Sequence, residues 1–479
     1  MLTFLIGLCI LFVGAFFYGK FCEKCFGPDD RKTPAIAKQD GVDYVPMPKW
    51  KNCLIQLLNI AGTGPILGPI QGILFGPIAF LLIPLGCVFG GALHDYFSGM
   101  ISIREGGLQM PGLVEKYLGK KAFAFYNAFL CLLLLLVVAV FVTTPGDLFA
   151  TQILNITDVS IHNPVIWIIY GVIFAYYIVA TLFPIDKIIG KIYPVFGGIL
   201  LISAVGIFFG IFGKGYELTN VSLSNWKGIY PDGTPILPVF FVTVACGIVS
   251  GFHSTQSTLI GRSVSNEKEG RTTFYNMMIL EGFIAMIWAA AAMGAMNLYA
   301  DARGITPVAM VGFVAKDMLG KIGGMIAIIG VIVLPISTGD TALRSLRLIV
   351  GDFLRYDQSK KQNRLVLSLT LSAIVVVILL FSKLNASGFN VLWRYFSWSN
   401  QAISIFAFAI ITVYLFRAKK PFIIAIIPGA FYAFIIATYI VNAKIGFGLP
   451  ITASYIIGVA FAAVYSALVL FTARKKQTN

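Results

Sequence analysis

Charge is what this chain has least of. Asp, Glu, Lys and Arg make up only 12% of the 479 residues, and histidine occurs three times. A soluble domain carries about twice that share of charge, so a solvated globular surface is excluded over most of the length. Acidic residues are scarcest, 21 against 36 Lys and Arg, giving a net charge of +15. That excess does not point to nucleic acid, because basic residues collect in the cytoplasmic loops of polytopic membrane proteins. The seven cysteines sit mostly in apolar runs and offer no disulfide framework. Cys22-Glu-Lys-Cys25 lacks a second pair or a nearby histidine, so no metal site is expected there. A nucleophile elbow, a P-loop and a His-rich metal motif are all missing, as is a soluble domain that could house a cofactor. An enzyme is therefore not expected, and neither is primary active transport without a separate nucleotide-binding subunit.

Apolar sequence is abundant. Hydrophobic residues reach 58% and mean hydropathy is +0.86, with repeated runs of about 20 residues, enough to cross a bilayer. The spacing predicts an all-α polytopic protein with about thirteen spans. They fall at 2–19, 53–76, 78–102, 122–143, 163–183, 190–213, 237–261, 273–299, 321–351, 365–382, 390–416, 421–441 and 450–472. The first run has no basic residue before it and Lys20, Lys24, Arg31 and Lys32 after it. It reads as a retained helix with its N-terminus outside and the C-terminus cytoplasmic. Alternating sides then places about 28 of the 36 Lys and Arg in the cytoplasm. Segments 103–121 and 300–320 have mixed polarity and are expected to lie along the membrane surface.

One apolar run is interrupted by its own residues. IAGTGPILGPIQGILFG, residues 60–76, carries Gly64, Gly68, Gly72 and Gly76 at a spacing of four, with Pro65 and Pro69 between them. The glycines share a face that lets another helix approach closely. The prolines remove donors and clash with the preceding turn, so a break is expected near Gly62-Thr63-Gly64-Pro65. Broken backbone at membrane depth survives only where it is buried in protein or lines a polar cavity. A second interruption is expected in LPVFFVTVACGIVSGFHSTQSTLIG, 237–261, around Gly247, Ser250, Gly251, Phe252, His253 and Ser254. It begins five helices after the first, in the opposite orientation. Paired interruptions in two inverted halves mark a transporter site. The expected organisation is a leading helix and basic loop (1–52), a first five-helix repeat (53–213), a second with its external loop (214–416), and two trailing helices (417–479).

IAGTGPILGP, GGALHDYFSGMISIREGG, VTVACGIVSGFHS, STGDTALRSLR and Ser399-Asn400-Gln401 occur in this order over about residues 53–401. Together they resemble carbon starvation protein A, in a short form. The resemblance implies an inner-membrane transporter with a LeuT-like fold of the amino acid–polyamine–organocation superfamily, a five-plus-five inverted repeat with broken first and sixth core helices. It further implies import of short peptides or small carboxylates such as pyruvate, by proton symport. Asp340-Thr341-Ala342-Leu343-Arg344 departs from the family's glycine-threonine run.

The expected substrate contacts are Ala61, Gly62, Thr63, Gly64, Pro65, Gly68 and Gln71 at the first break, with Gly247, Ser250, Gly251, Phe252, His253 and Ser254 at the second. A half-helix restarting at Pro65 presents amide donors and a positive dipole end to a carboxylate; the alternative is a glycine seam used only for packing. His253 lies mid-span, whereas His94 falls near a cytoplasmic end, so His253 is a proton carrier or ligand candidate or else a satisfied buried histidine. Glu281, about 12 Å inside its helix, is a second proton candidate. Asp340 is either a coupling residue or the partner of Arg344 four residues on. Ser337, Thr338 and Thr341 offer oxygens that keep sodium open. Asp95, about 25 Å along its helix, is expected at the cytoplasmic mouth, forming an inner gate with Arg104 or another basic residue, or a solvated helix end. Gln71, Asn276, Asn400 and Gln401 read more readily as interhelical hydrogen bonds than as ligands. The partners expected are a small-molecule substrate, a proton or sodium ion, and the lipid bilayer. A channel is the rival reading from another class.

Overall fold

The computed structural model describes residues 1–40, 44–182, 186–227, 230, 233–357, 360–384 and 388–475. Residue 183, the end of one expected span, lies outside them. The main helices are α1 (Leu2–Phe26), α2 (Lys49–Ile60), α3 (Gly64–Gly72), α4 (Ala79–Arg104), α5 (Met110–Leu118), α6 (Lys120–Leu148), α7 (Pro164–Leu182) and α8 (Asp186–Gly213). Then come α9 (Ile236–Thr243), α10 (Ala245–Ile248), α11 (Gly251–Ile260), α12 (Asn276–Leu298), α13 (Pro307–Phe353), α14 (Lys361–Leu384), α15 (Gly388–Arg417), α16 (Ile423–Asn442) and α17 (Ile451–Arg474). Among the described residues nine helices are long and apolar enough to cross a membrane, or ten if the bent pair Lys49–Ile60 and Gly64–Phe75 forms one span. The chain is a multi-span membrane protein. Large apolar side chains stay uncovered on the spans, such as Phe17 on α1 and Ile456, Leu468 and Phe471 on α17, which suits lipid rather than water.

The chain divides into two compact units, one made of Met1–Asn127, Thr219–Met286 and Ser397–Asn479, the other of Ala128–Leu218 and Ile287–Phe396. Each therefore takes segments from both expected sequence halves. In the first unit, α1 buries Phe4, Leu8, Leu11, Ala15, Gly19, Cys22 and Phe26, the i, i+4, i+7 stripe of a helix with one protein-facing side. Gly7, Gly14 and Gly19 set its depth, because a Cβ there would meet the Phe80 carbonyl, Val88 and Tyr275 respectively. Helix α4 is wound as a π turn over Cys87–Gly91, a feature common at functional sites.

In the second unit, glycines again define the packing: Gly206 and Gly210 on α8 face Leu319 and Met318, and Gly330 faces Ile199. Gly320, at φ 70°, breaks α13, and the chain folds back so sharply that Gly324 reaches Lys316 and the Ala315 carbonyl. The expected surface segment 300–320 is thus largely a short helix of its own, as is Met110–Leu118 within 103–121. Asp147 of α6 is held by Lys383 at 2.8 and 3.0 Å and by the Tyr170 hydroxyl at 2.5 Å, while Lys383 also donates to the Val159 carbonyl. This buried pair escaped the sequence reading, although a carboxylate in an apolar run was its signal.

Candidate functional site

The first interruption sits where the prolines require it. Helix α2 ends at Ile60, Ala61 leaves helical geometry at φ −82°, ψ 55°, and α3 restarts at Gly64 with Pro65 in its first turn, where its missing donor costs nothing. The two pieces are bent by 48°. Gly62 donates back to the Ile60 carbonyl at 2.9 Å. Thr63 Oγ1 is fully buried and makes no hydrogen bond among the described residues. The seam reading holds here as well: a Cβ on Gly64 would overlap Cys246, and one on Gly72 would overlap Val244. Gln71 donates to Leu67 of its own helix at 3.3 Å, and Gly68 is buried.

The second interruption falls between α10 and α11. Gly247 lies in the α10 turn, and the break itself is Val249-Ser250, both extended, with α11 starting at Gly251. It is held open by a partner 150 residues away. Asn400 Oδ1 on α15 accepts from Ser250 Oγ at 2.8 Å and from the Phe252 amide at 3.3 Å, so it caps α11 from outside the chain segment. Gln401 Nε2 donates to the Phe241 carbonyl of α9 at 2.7 Å. The Ser-Asn-Gln motif therefore stitches both sides of the break. Ser254 Oγ donates to the Gly251 carbonyl at 2.6 Å. Asn400→Ala should lower stability by about 1–3 kcal/mol, the cost of stranding buried donors, while Asn400→Asp keeps the acceptor; thermal unfolding in detergent measures both.

In the first turn of α11 the chain gathers its buried charge. His253 Nδ1 lies 3.3 Å from Asp95 Oδ2 and 3.6 Å from Glu281 Oε2, and His94 Nδ1 lies 2.8 Å from Asp95 Oδ1. His94, Asp95 and Glu281 are fully buried and His253 is 2% exposed. Isolated charge at such a place is costly, so two carboxylates beside two imidazoles form a set that can share protons. Among the described residues no His, Cys, Asp and Glu group has metal-binding geometry.

This cluster corrects two expectations. Asp95 does not pair with Arg104 and is not a solvated helix end; nine residues of α4 separate them, about 14 Å. Arg104 instead forks onto Glu267 at 3.0 and 2.9 Å, lies over the Phe26 ring and donates to the Gly27 carbonyl. Arg31 lies 3.9 Å from Glu267, and its guanidinium hydrogen-bonds Asp29, holding that carboxyl well below the usual range. His94, expected near a helix end, is likewise part of the buried set. Position along α4 does not decide their burial; contact with His253 of α11, itself against Glu281 of α12, does.

The remaining candidates belong to the second unit. Arg344 Nη2 lies 3.9 Å from Asp340 and donates to the Ala180 carbonyl at 2.9 Å. Ser337 and Thr338 donate to Leu334, and Thr341 to Ser337, so all three hydroxyl hydrogens are turned onto their own helix. Gly339 packs on Tyr177, whose hydroxyl reaches the Phe141 carbonyl at 2.9 Å.

Comparison with known proteins agrees with the motifs. The family model for carbon starvation protein CstA matches residues 1–178, 146–309 and 293–440. The chain belongs to the CstA family. An uncharacterized membrane protein of Haemophilus influenzae is 44% identical over 60% of this chain and 89% of its own length. The pyruvate/proton symporter BtsT of Escherichia coli is 24% identical over 55% of this chain and 44% of its own. A peptide transporter CstA of Campylobacter jejuni is 25% identical over 58% and 48%. The chain thus aligns with less than half the length of these named transporters. Among solved structures, a manganese transporter of Eremococcus coleocola matches with a TM-score of 0.55 at 12% identity, covering 91% of this chain and 98% of that one. A Na+-coupled sialic acid symporter matches with a TM-score of 0.54 at 13% identity, covering 98% and 99%. MhsT, solved with L-phenylalanine, matches at 0.54 and 16%, covering 89% and 99%. These likenesses establish a shared fold.

Proposed function

We propose that this chain is a secondary active transporter that imports short peptides or small carboxylates such as pyruvate across the inner membrane by proton symport. The observation that carries the reading is the approach of two interrupted helices at Gly64 and Cys246, with the buried His253–Asp95–Glu281 set at the first turn after the second break. The α3 amide end and the unbonded Thr63 hydroxyl suit a substrate carboxylate. Proton coupling through His253, with Asp95 and Glu281 beside it, accounts for titratable groups kept in an apolar interior. The names of the relatives, a pyruvate/proton symporter and peptide transporters, favour the same substrates and ion. The two halves, 53–213 and 214–416, would each open on an interrupted span, with the N-terminus outside.

The test is uptake of labelled pyruvate and of labelled dialanine into proteoliposomes under an inward proton gradient, an inward sodium gradient, or neither. Accumulation of one substrate under the proton gradient is expected. Accumulation under sodium alone would move the coupling to an oxygen-ligand site such as Ser337, Thr338 and Thr341, and gradient-independent leak would overturn the carrier reading in favour of a channel.

A further inference from the structure

We propose that the first unit holds an anionic glycerophospholipid, with one acyl chain in a groove between α1, α4 and α16 and its phosphate at Lys24 and Lys420. The groove has a volume of about 520 Å³ and is lined by Tyr18, Leu82, Phe89, Phe241, Ile427 and Tyr432 among others, with tyrosine hydroxyls as its only polar side-chain groups. That size lies within the range of about 300–1,000 Å³ seen for sites that enclose small molecules, and its lining offers a hydrocarbon chain no polar competition. Gly86 and Gly90 line its α4 wall, and Pro428 lies within α16 on the opposite side.

Charge selects the kind of lipid. Tyr18 lines the groove and shares a face of α1 with Cys22 and Cys25 at i+4 and i+7. Lys24 precedes Cys25 by one residue on α1, and the Lys420 ammonium reaches the carbonyl of Phe26, one residue beyond it. Lys420 precedes the groove residue Ile423 by three positions and spends one donor on the Phe26 carbonyl at 2.5 Å, which leaves two of its three donors. Lys24 is exposed. A chain in the groove would therefore bring its phosphate to two cations, as basic pockets between helices do for anionic headgroups. The back of the same wall reaches the second interruption: Gly86 and Gly90 are the residues against which Ile248 and Val249 pack. Groove occupancy is thereby placed one backbone away from the break.

The experiment is native mass spectrometry of the purified full chain, incubated with equal amounts of phosphatidylglycerol and phosphatidylcholine of identical chains. Preferential retention of phosphatidylglycerol is expected, and Lys24→Gln with Lys420→Gln should reduce that preference by about fivefold per lysine. Ile427→Trp, which fills the groove, should reduce retention of both lipids; Leu85→Trp from the opposite wall does the same if the first variant melts below the wild type. Glycerol phosphate without a chain should not displace the bound lipid. Equal retention of the two lipids by the wild type would overturn the proposal. So would a preference that survives loss of both lysines, or displacement by glycerol phosphate, which would indicate a site for free phosphate. Binding is read without transport, so the result stands apart from the proposed function.

Discussion

Asp95→Asn is expected to abolish proton-driven accumulation of substrate while leaving counterflow between equal internal and external pools. Asp95 sits between two imidazoles, 2.8 Å from His94 and 3.3 Å from His253, with no exposed surface. Under the proposed proton coupling, a proton arriving at His253 would be compensated by the Asp95 charge, in a place where an unpaired charge is costly. The amide keeps the volume and one acceptor but removes the charge. Breaking a buried pair by removing one partner costs about 3–5 kcal/mol, so driven uptake should fall by about two orders of magnitude or more. Counterflow needs the substrate site alone, and its survival separates lost coupling from lost folding. Accumulation by Asp95→Asn at close to the wild-type level would remove Asp95 from the proton path and leave it as a structural partner of the histidines.

Gly251→Ala is expected to leave little folded protein. A Cβ at this position would stand 2.5 Å from the Asn400 carbonyl oxygen and 2.5 Å from Ile403 Cβ. Neither is the free end of a flexible side chain, so α15 or the start of α11 would have to move. Moving either strains the Asn400 contacts that cap α11. Overpacking of a tight site costs about 1–3 kcal/mol and more where backbone must shift. Gly171→Ala supplies the contrast, because nothing lies within 4 Å of a Cβ there, and alanine in a helix is favoured over glycine by about 1 kcal/mol. Size-exclusion profiles after a heating series would compare the two. A monodisperse Gly251→Ala protein with a wild-type midpoint would show that the close approach at the break is relaxed in the membrane.

The sequence disclosed what depends on neighbours along the chain. Pro65 and Pro69 among glycines located the first break to within a residue or two, since lost donors and ring clashes act on the local turn. The second break was legible only as a region: Gly247, the obvious weak point, remains in a helical turn, and the extended residues are Val249 and Ser250. Nothing in their own types demands extended backbone, which is stabilised by Asn400 far away in sequence. Asn400 and Gln401 read from the sequence as interhelical hydrogen bonds, and their bonds to Ser250, Phe252 and Phe241 are of that kind.

The charged residues show the limit most clearly. Depth in apolar runs marks His253 and Glu281 as proton candidates, while Asp95 reads from the sequence as a gate residue and His94 as lying near a helix end. Depth follows from counting residues along a helix, but partnership depends on which helix faces which. That is set by close approaches such as Gly91 on the Ile248 carbonyl and Gly282 on Cys87, where the absence of a side chain lets α10 and α12 settle against α4, with His253 following just after α10. The sequence by itself determined a polytopic helical membrane protein, its family motifs and its proline-driven break, because bilayer thickness and backbone chemistry act locally. Only the tertiary structure decided that Asp95 meets His253 and that Arg104 meets Glu267, because packing between distant helices, rather than position along any one of them, chooses the partner of a buried charge.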